Sequence, residues 1–376
     1  MTNKQTPYFY LLIAFLIFFS CSDSSDSSDG LVDNFDRQSI LENVTDNIIL
    51  PAIEDFSTKT EQLEASVTLF SNTINLVNLE AVQQSWVEAY KTWQHLEMFN
   101  IAKAEEIYFI QKMNTYPASV SKIENNIITG NYDLVINNNN WVAQGFPALD
   151  YLLFGLEDTN VGTVEFYESP TNIAYLNYLQ DVVSQMVTTT QVVRQDWIVT
   201  RDSFVSSSEN SATSSLNMLT NDFIYYFEKG LRTNKFGIPA GVFSANNTRP
   251  ANVEAYYNKT LSKALSLEAL DAVEGFFKGQ AYNSTNTEVV LSTASLKSYL
   301  DYMTENSTIS TAIITKFTDS EQLINMLEDN FYSQVNINNN PMVDVFNKLQ
   351  EGVVLLKTDM LSALSISVDY IDADGD

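Results

Sequence analysis

The sequence predicts an all-α fold of long antiparallel helices gathered into bundles. Three observations predict it. From residue 34 onward, apolar residues recur at helical spacing almost throughout. No segment alternates apolar and polar residues over a convincing strand length. Residues 172–204 run without a proline or glycine, as a long bundle helix should.

In chain order, Ile40, Leu41, Val44, Ile48 and Ile49 mark one apolar helix face, which Pro51 interrupts. Residues 56–77 form a second amphipathic segment. Within 79–103, Val82, Trp86, Tyr90, Trp93 and Glu97 follow at spacings of four, four, three and four. An acid therefore continues a stripe that two tryptophans begin. Residues 130–140 form a turn-rich break ending in the Asn137–Asn140 run.

The stretch from Gly145 to Gly155, GFPALDYLLFG, reads as a compact buried helix. Pro147 suits its first turn, Phe146, Leu149, Leu153 and Phe154 form its buried stripe, and Gly155 stops it. Asp150 is then either a partner of the helix dipole or a site residue. Beyond a connector at 161–170, residues 172–204 form one helix, 206–215 a polar bend and 216–232 the next helix. Phe236 to Gly241 forces an irregular loop. Helices resume over 251–275 and near 286–304, 308–330 and 341–366. The bend divides the chain into an N-terminal bundle, 34–205, and a C-terminal bundle, 206–376.

Ahead of these helices, Lys4 and the apolar run Tyr8 to Phe19 read as an export signal over residues 1–20, too short for a membrane span. Phe18-Phe19-Ser20-Cys21 resembles a bacterial lipoprotein cleavage box, which would make Cys21 a lipidated N-terminus and the membrane anchor. The alternative is an uncleaved anchor ending in a free cysteine. Residues 21–33, containing SDSSDSSDG, are an acidic tether that resembles the surface-export signals of Bacteroidetes lipoproteins. Cys21 is the only cysteine, so disulfides and thiolate metal sites are excluded. The tail from Asp369 to Asp376 resembles half a calcium loop and reads as an acidic terminus.

The formal net charge of −27 excludes nucleic acid as a partner. His95 is the only histidine, which removes HExxH proteases, multi-histidine metal sites and histidine-dependent triads unless His95 itself serves. It lies about 200° around the helix from Glu97 and reads as a surface residue. Carboxylates remain. Glu97, Asp150 and Glu254 fall in apolar helical segments and need partners, for which Lys229, Arg232, Lys235 and Arg249 are candidates. Brought together, the three acids would raise one another's pKa values or recruit a cation. Such an all-oxygen site suits a divalent or ferric metal ion.

Three motifs then carry a resemblance. Gly145-Phe-Pro147-Ala-Leu-Asp150, followed by Tyr-Leu-Leu-Phe-Gly, is similar to the GxHxxE signature of the imelysin-like proteins. Trp86, Trp93, Glu97 and Phe99 resemble that family's tryptophan-rich helix. Gly237-Ile-Pro239-Ala-Gly241 and the stretch from Pro250 to Glu254 resemble its proline-glycine loop and following acid-bearing helix. The resemblance spans about residues 34–370. It implies two helical bundles side by side, related by a pseudo-repeat, with a site in the cleft between them. It also implies an exported envelope protein linked to iron uptake, to metal or ligand binding, or to peptidase activity. The signature's histidine and glutamate are its metal ligands. Here Pro147 cannot ligate, and Asp150 is one methylene shorter than glutamate.

The resulting expectation is a lipid-anchored envelope protein that takes a metal ion, iron included, or another small cationic or polar ligand into the inter-bundle cleft. An envelope uptake system would be its partner. Glu97, Asp150 and Glu254 would supply oxygens, and Trp93, Gly145, Pro147 and Tyr151 would shape the wall. Two other classes stay open: a metallopeptidase using the same acids, and a carbohydrate-binding or adhesive surface protein drawing on 19 tyrosines and four tryptophans.

Overall fold

Asp36 starts the first helix, Arg37–Val44, by accepting the Ser39 amide at 3.1 Å. Pro51 does not end it. The chain widens into a π turn, Thr45–Ile49, and continues as Leu50–Asn72. Pro51 has no N–H for the Asn47 carbonyl one turn back. That carbonyl accepts instead from the Tyr282 amide at 2.8 Å. Asn43 grips the same distant segment, donating to the carbonyls of Gly279 and Ala294 at 3.3 and 3.2 Å. The expected interruption is thus a change of helical register, and the acceptor it frees ties the first helices to the segment around Tyr282. These coordinates are a computed structural model that describes residues 33–284 and 289–368. The expected signal, Cys21, nearly all of the tether and the acidic tail lie outside the described residues.

Among the described residues there is no strand, only an isolated antiparallel bridge between Gln280 and Leu291. Leu50–Asn72 packs on both Leu76–Trp93 and Ile173–Ser206, and Gly145–Phe154 lies against the last of these. In the second half, a π helix, Tyr226–Gly237, packs with Ser262–Lys278 and Asn340–Val354, and Thr308–Asn325 closes the layer. From Phe35 onward, the described residues form one compact unit. The long helix 172–204 is present as expected, as are the bend after it and the short helix with Pro147 in its first turn.

The helix expected near 286–304 begins at Leu296, and the segment expected over 56–77 breaks at residues 73–75. Two further differences from the sequence reading concern acids. The tryptophan helix ends at Trp93, and residues 94–98 are turns. Glu97 is still buried, so the stripe keeps its face after the helix stops. Glu254 lies on no helix, because the next one begins at Ser262. Ala255 and Lys259 adopt positive φ of 54° and 64°, which no right-handed helix tolerates. Residues 251–261 are therefore a folded loop that presents Glu254 inward.

Candidate functional site

The site is built on Asn114, the last residue of the short helix Phe109–Asn114. Its Nδ2 donates to Glu97 Oε1 and to Glu254 Oε1, both at 2.8 Å. Its Oδ1 accepts from the Tyr90 hydroxyl at 2.6 Å. One amide thus joins two carboxylates that the sequence separates by more than a hundred residues. Lys235 forms an ion pair with Glu254 Oε2 and donates to Gln94 Oε1 at 2.8 Å, while Gln94 Nε2 donates back to Glu254 Oε1 at 3.3 Å. Tyr226 donates to Glu97 Oε2 at 3.2 Å. All six side chains around Asn114 are buried.

Burial pushes the Glu97 carboxyl up. Lys235 draws it down, the Glu254 charge raises it again, and Asn114's donation lowers it. The Trp93 indole also lowers it, although its N–H reaches no acceptor at hydrogen-bond geometry. Burial, reinforced by Glu254 and Glu97, holds the phenols of Tyr90, Tyr116 and Tyr226 well above the ordinary tyrosine range. They remain hydrogen-bond donors at any physiological pH.

Asp150 stands outside this network. Its Oδ2 accepts the Tyr257 amide at 2.8 Å and its Oδ1 the Asn258 amide at 2.9 Å. It therefore pins the loop that carries Glu254. Burial raises its pKa to about 7 against the pull of those two amides. Because the folded value lies above the ordinary 3.8, the fold favours the protonated form. That contribution is complete below pH 4 and is lost as the pH rises through 7. Asp150→Asn is expected to remove this slope, roughly 4 kcal/mol at 1.36 kcal/mol per pKa unit, which urea unfolding of both proteins at pH 4 and pH 8 would measure.

The other expected wall residues support the network from behind. Gly145, at φ +67°, lies so close to the helix Phe109–Asn114 that a Cβ would sit 2.2 Å from the Met113 carbonyl oxygen. Phe146 stacks on Tyr90 at 4.2 Å and accepts the Trp86 indole N–H at 3.3 Å. Pro147 is buried in the first turn of that helix. Trp93 packs against Phe109 and Phe56, with ring centroids 5.1 and 5.5 Å away. Tyr151 donates to Glu124 at 2.5 Å, a carboxylate it shares with Tyr175. His95, expected at the surface, is mostly buried and bonded to Glu268 at 3.2 Å.

A cavity of about 950 Å³ opens beside the network. Its walls come from residues 97–116 and 200–204 of the first half and 218–234 of the second. Glu97, Asn114 and Tyr226 belong to both network and wall, whereas Glu254 and Lys235 sit behind them. Of the expected ligand residues, only Glu97 lines the cavity. Asn114, Tyr116 and Tyr226 carry no sequence motif, and Lys235 was legible only as one of four candidate counter-ions.

The expected triad of Glu97, Asp150 and Glu254 does not fit a bare metal ion. Lys235 supplies the cation at Glu254, an amide N–H sits between Glu254 and Glu97, and Asp150 is taken up by two backbone amides. Among the described residues, no three of His, Cys, Asp and Glu are placed to hold a metal ion.

The sequence model of the M75 peptidase family, imelysin, matches residues 49–356. The chain belongs to the imelysin family. Two solved structures share the imelysin fold with it. One is described as an iron-regulated protein A precursor from Parabacteroides distasonis, with a TM-score of 0.71 and 16% identity over 86% of this chain and 95% of that one. The other is an imelysin-like protein from Psychrobacter arcticum, with a TM-score of 0.68 and 16% identity over 89% and 97%. No curated protein matches the sequence. For this imelysin-family chain, the family match accords with the order of motifs along the sequence, while the site chemistry rests on its own side chains.

Proposed function

We propose that this imelysin-family protein is an envelope-anchored binding protein that takes a small polar ligand into the cavity between its two halves. The observation that carries the reading is the cavity itself, about 950 Å³ with Glu97 fixed in its wall by Asn114 and Tyr226. That volume suits an organic molecule rather than an ion. A carboxylate held by two donors retains room for about two more hydrogen bonds. The iron-regulated neighbour raises iron as a cargo. With Lys235 paired to Glu254, iron would enter as a complex rather than as a bare ion. The proposed attachment is lipidated Cys21; no helix among the described residues is long and apolar enough to cross a membrane.

A thermal-shift panel of amines, carboxylates, sugars, ferric citrate and bare Fe³⁺, Ca²⁺ and Zn²⁺ tests the reading. A ligand at a hundred times its Kd stabilises by about 2.7 kcal/mol. The expected result is a rise in Tm with an organic compound or ferric citrate that Glu97→Ala abolishes, and no such rise with bare ions. Stabilisation by a bare ion alone, or by nothing in the panel, would overturn it. Cys21→Ala is expected to abolish incorporation of labelled palmitate in cells.

A further inference from the structure

We infer that the cavity selects an organic cation rich in N–H donors, an amine or guanidinium compound. This rests on the small-ligand reading above and names the class of ligand. The cavity wall carries three carboxylates, Glu97, Glu105 and Asp222, against one cation, Lys229. Lys229 is bonded to Glu228 at 2.7 Å, a carboxylate it shares with Arg232 and Lys357, so the wall keeps one positive group against its three acids. The lining is therefore net negative, as is the chain, whose formal charge of −27 raises the local concentration of cations.

The uncharged groups point the same way. Asn100 and Gln111 both line the cavity, and the side-chain oxygen of each is buried without a hydrogen-bond donor. A buried acceptor left unmet keeps the full cost of its lost hydration. Two such oxygens, in the same cavity wall as a carboxylate with spare acceptor sites, leave the lining short of N–H donors. A carboxylate or phosphate ligand would leave both oxygens unmet and would face Glu97 with like charge. A neutral sugar would meet the oxygens but gain nothing from the acids. An ammonium or guanidinium satisfies both, and Tyr116 and Tyr226 add aromatic groups, which favour cations, to the same wall.

Calorimetric titration with spermidine and agmatine, alongside citrate and glucose, tests this on wild type and Glu97→Gln. The glutamine preserves the geometry: its oxygen can accept from Asn114, and its amide can donate to the Tyr226 hydroxyl. An unchanged unfolding midpoint would confirm that the variant folds. The expected result is saturable binding of an amine, weakened about tenfold or more in Glu97→Gln, the scale of a hydrogen bond to a charged group. Amine binding that is indifferent to Glu97→Gln, as surface attraction to an acidic protein would be, overturns the inference. Binding of citrate or glucose instead, lost in Glu97→Ala, overturns the cationic class while the cavity remains a ligand site. Failure of all four probes, with no Tm shift across the wider panel, overturns both.

Discussion

Lys235→Met is expected to destabilise the protein by about 3–5 kcal/mol, the usual result of removing one partner from a buried ion pair. Lys235 and Glu254 are 1% and 2% exposed, so water cannot replace the lost partner. Methionine nearly matches the lysine stem in volume, which confines the loss to charge and hydrogen bonding. Glu254 would keep only the amide donations of Asn114 and Gln94, and the Gln94 oxygen would lose its ammonium donor. The second substitution sharpens the test. Glu254→Gln in the Lys235→Met background removes the stranded charge and is expected to recover most of the stability. Urea unfolding of wild type, both single variants and the double variant measures the coupling. Additive losses would mean that the pair is not coupled as the geometry requires.

Gly145→Ala is expected to cost at least about 3 kcal/mol, in the range reserved for strained or overpacked sites. Two effects coincide. At φ +67° an L side chain is strained whatever the space around it, and here the new Cβ would meet the backbone oxygens of Met113 and Lys112 at 2.2 and 2.4 Å. Backbone cannot rotate away as a side chain can. The helix Phe109–Asn114 would have to shift, and it ends in Asn114, so the variant is also expected to lose ligand-induced stabilisation. Gly130 supplies the control. It has φ +60° with nothing within 4 Å of its Cβ position, so Gly130→Ala should cost only about 1–2 kcal/mol. Equal losses at the two glycines would show that the close approach at Gly145 contributes nothing.

The fold was legible wherever periodicity carried it. The stripe from Val82 to Trp93 marks both a helix and its buried face, and residues 172–204 mark a long helix nearly to its ends. The motif order placed the chain in the imelysin family, which the family match shows. What stayed hidden is long-range. Nothing near Pro51 announces that Tyr282 will take the carbonyl it frees, and nothing near Asp150 announces that amides of residues 257 and 258 will claim its oxygens. The apolar neighbours of Glu254 suggest a helix; the positive φ of Ala255, which places Glu254 on a loop, follows from tertiary contacts. Asn114 is the plainest omission. A single amide at the end of a six-residue helix carries no pattern, yet it joins Glu97 to Glu254. The N-terminal reading, Cys21 included, rests on sequence alone.

The central claim is that a small ligand is held between the two halves on the Glu97 carboxylate. A crystal structure of the protein soaked with spermidine tests it most directly. The predicted result is an amine nitrogen within about 2.7–3.2 Å of a Glu97 oxygen, ordinary hydrogen-bond range, with the Lys235–Glu254 pair still closed behind it. Spermidine bound only on the outer surface, with the cavity filled by solvent, would contradict the account.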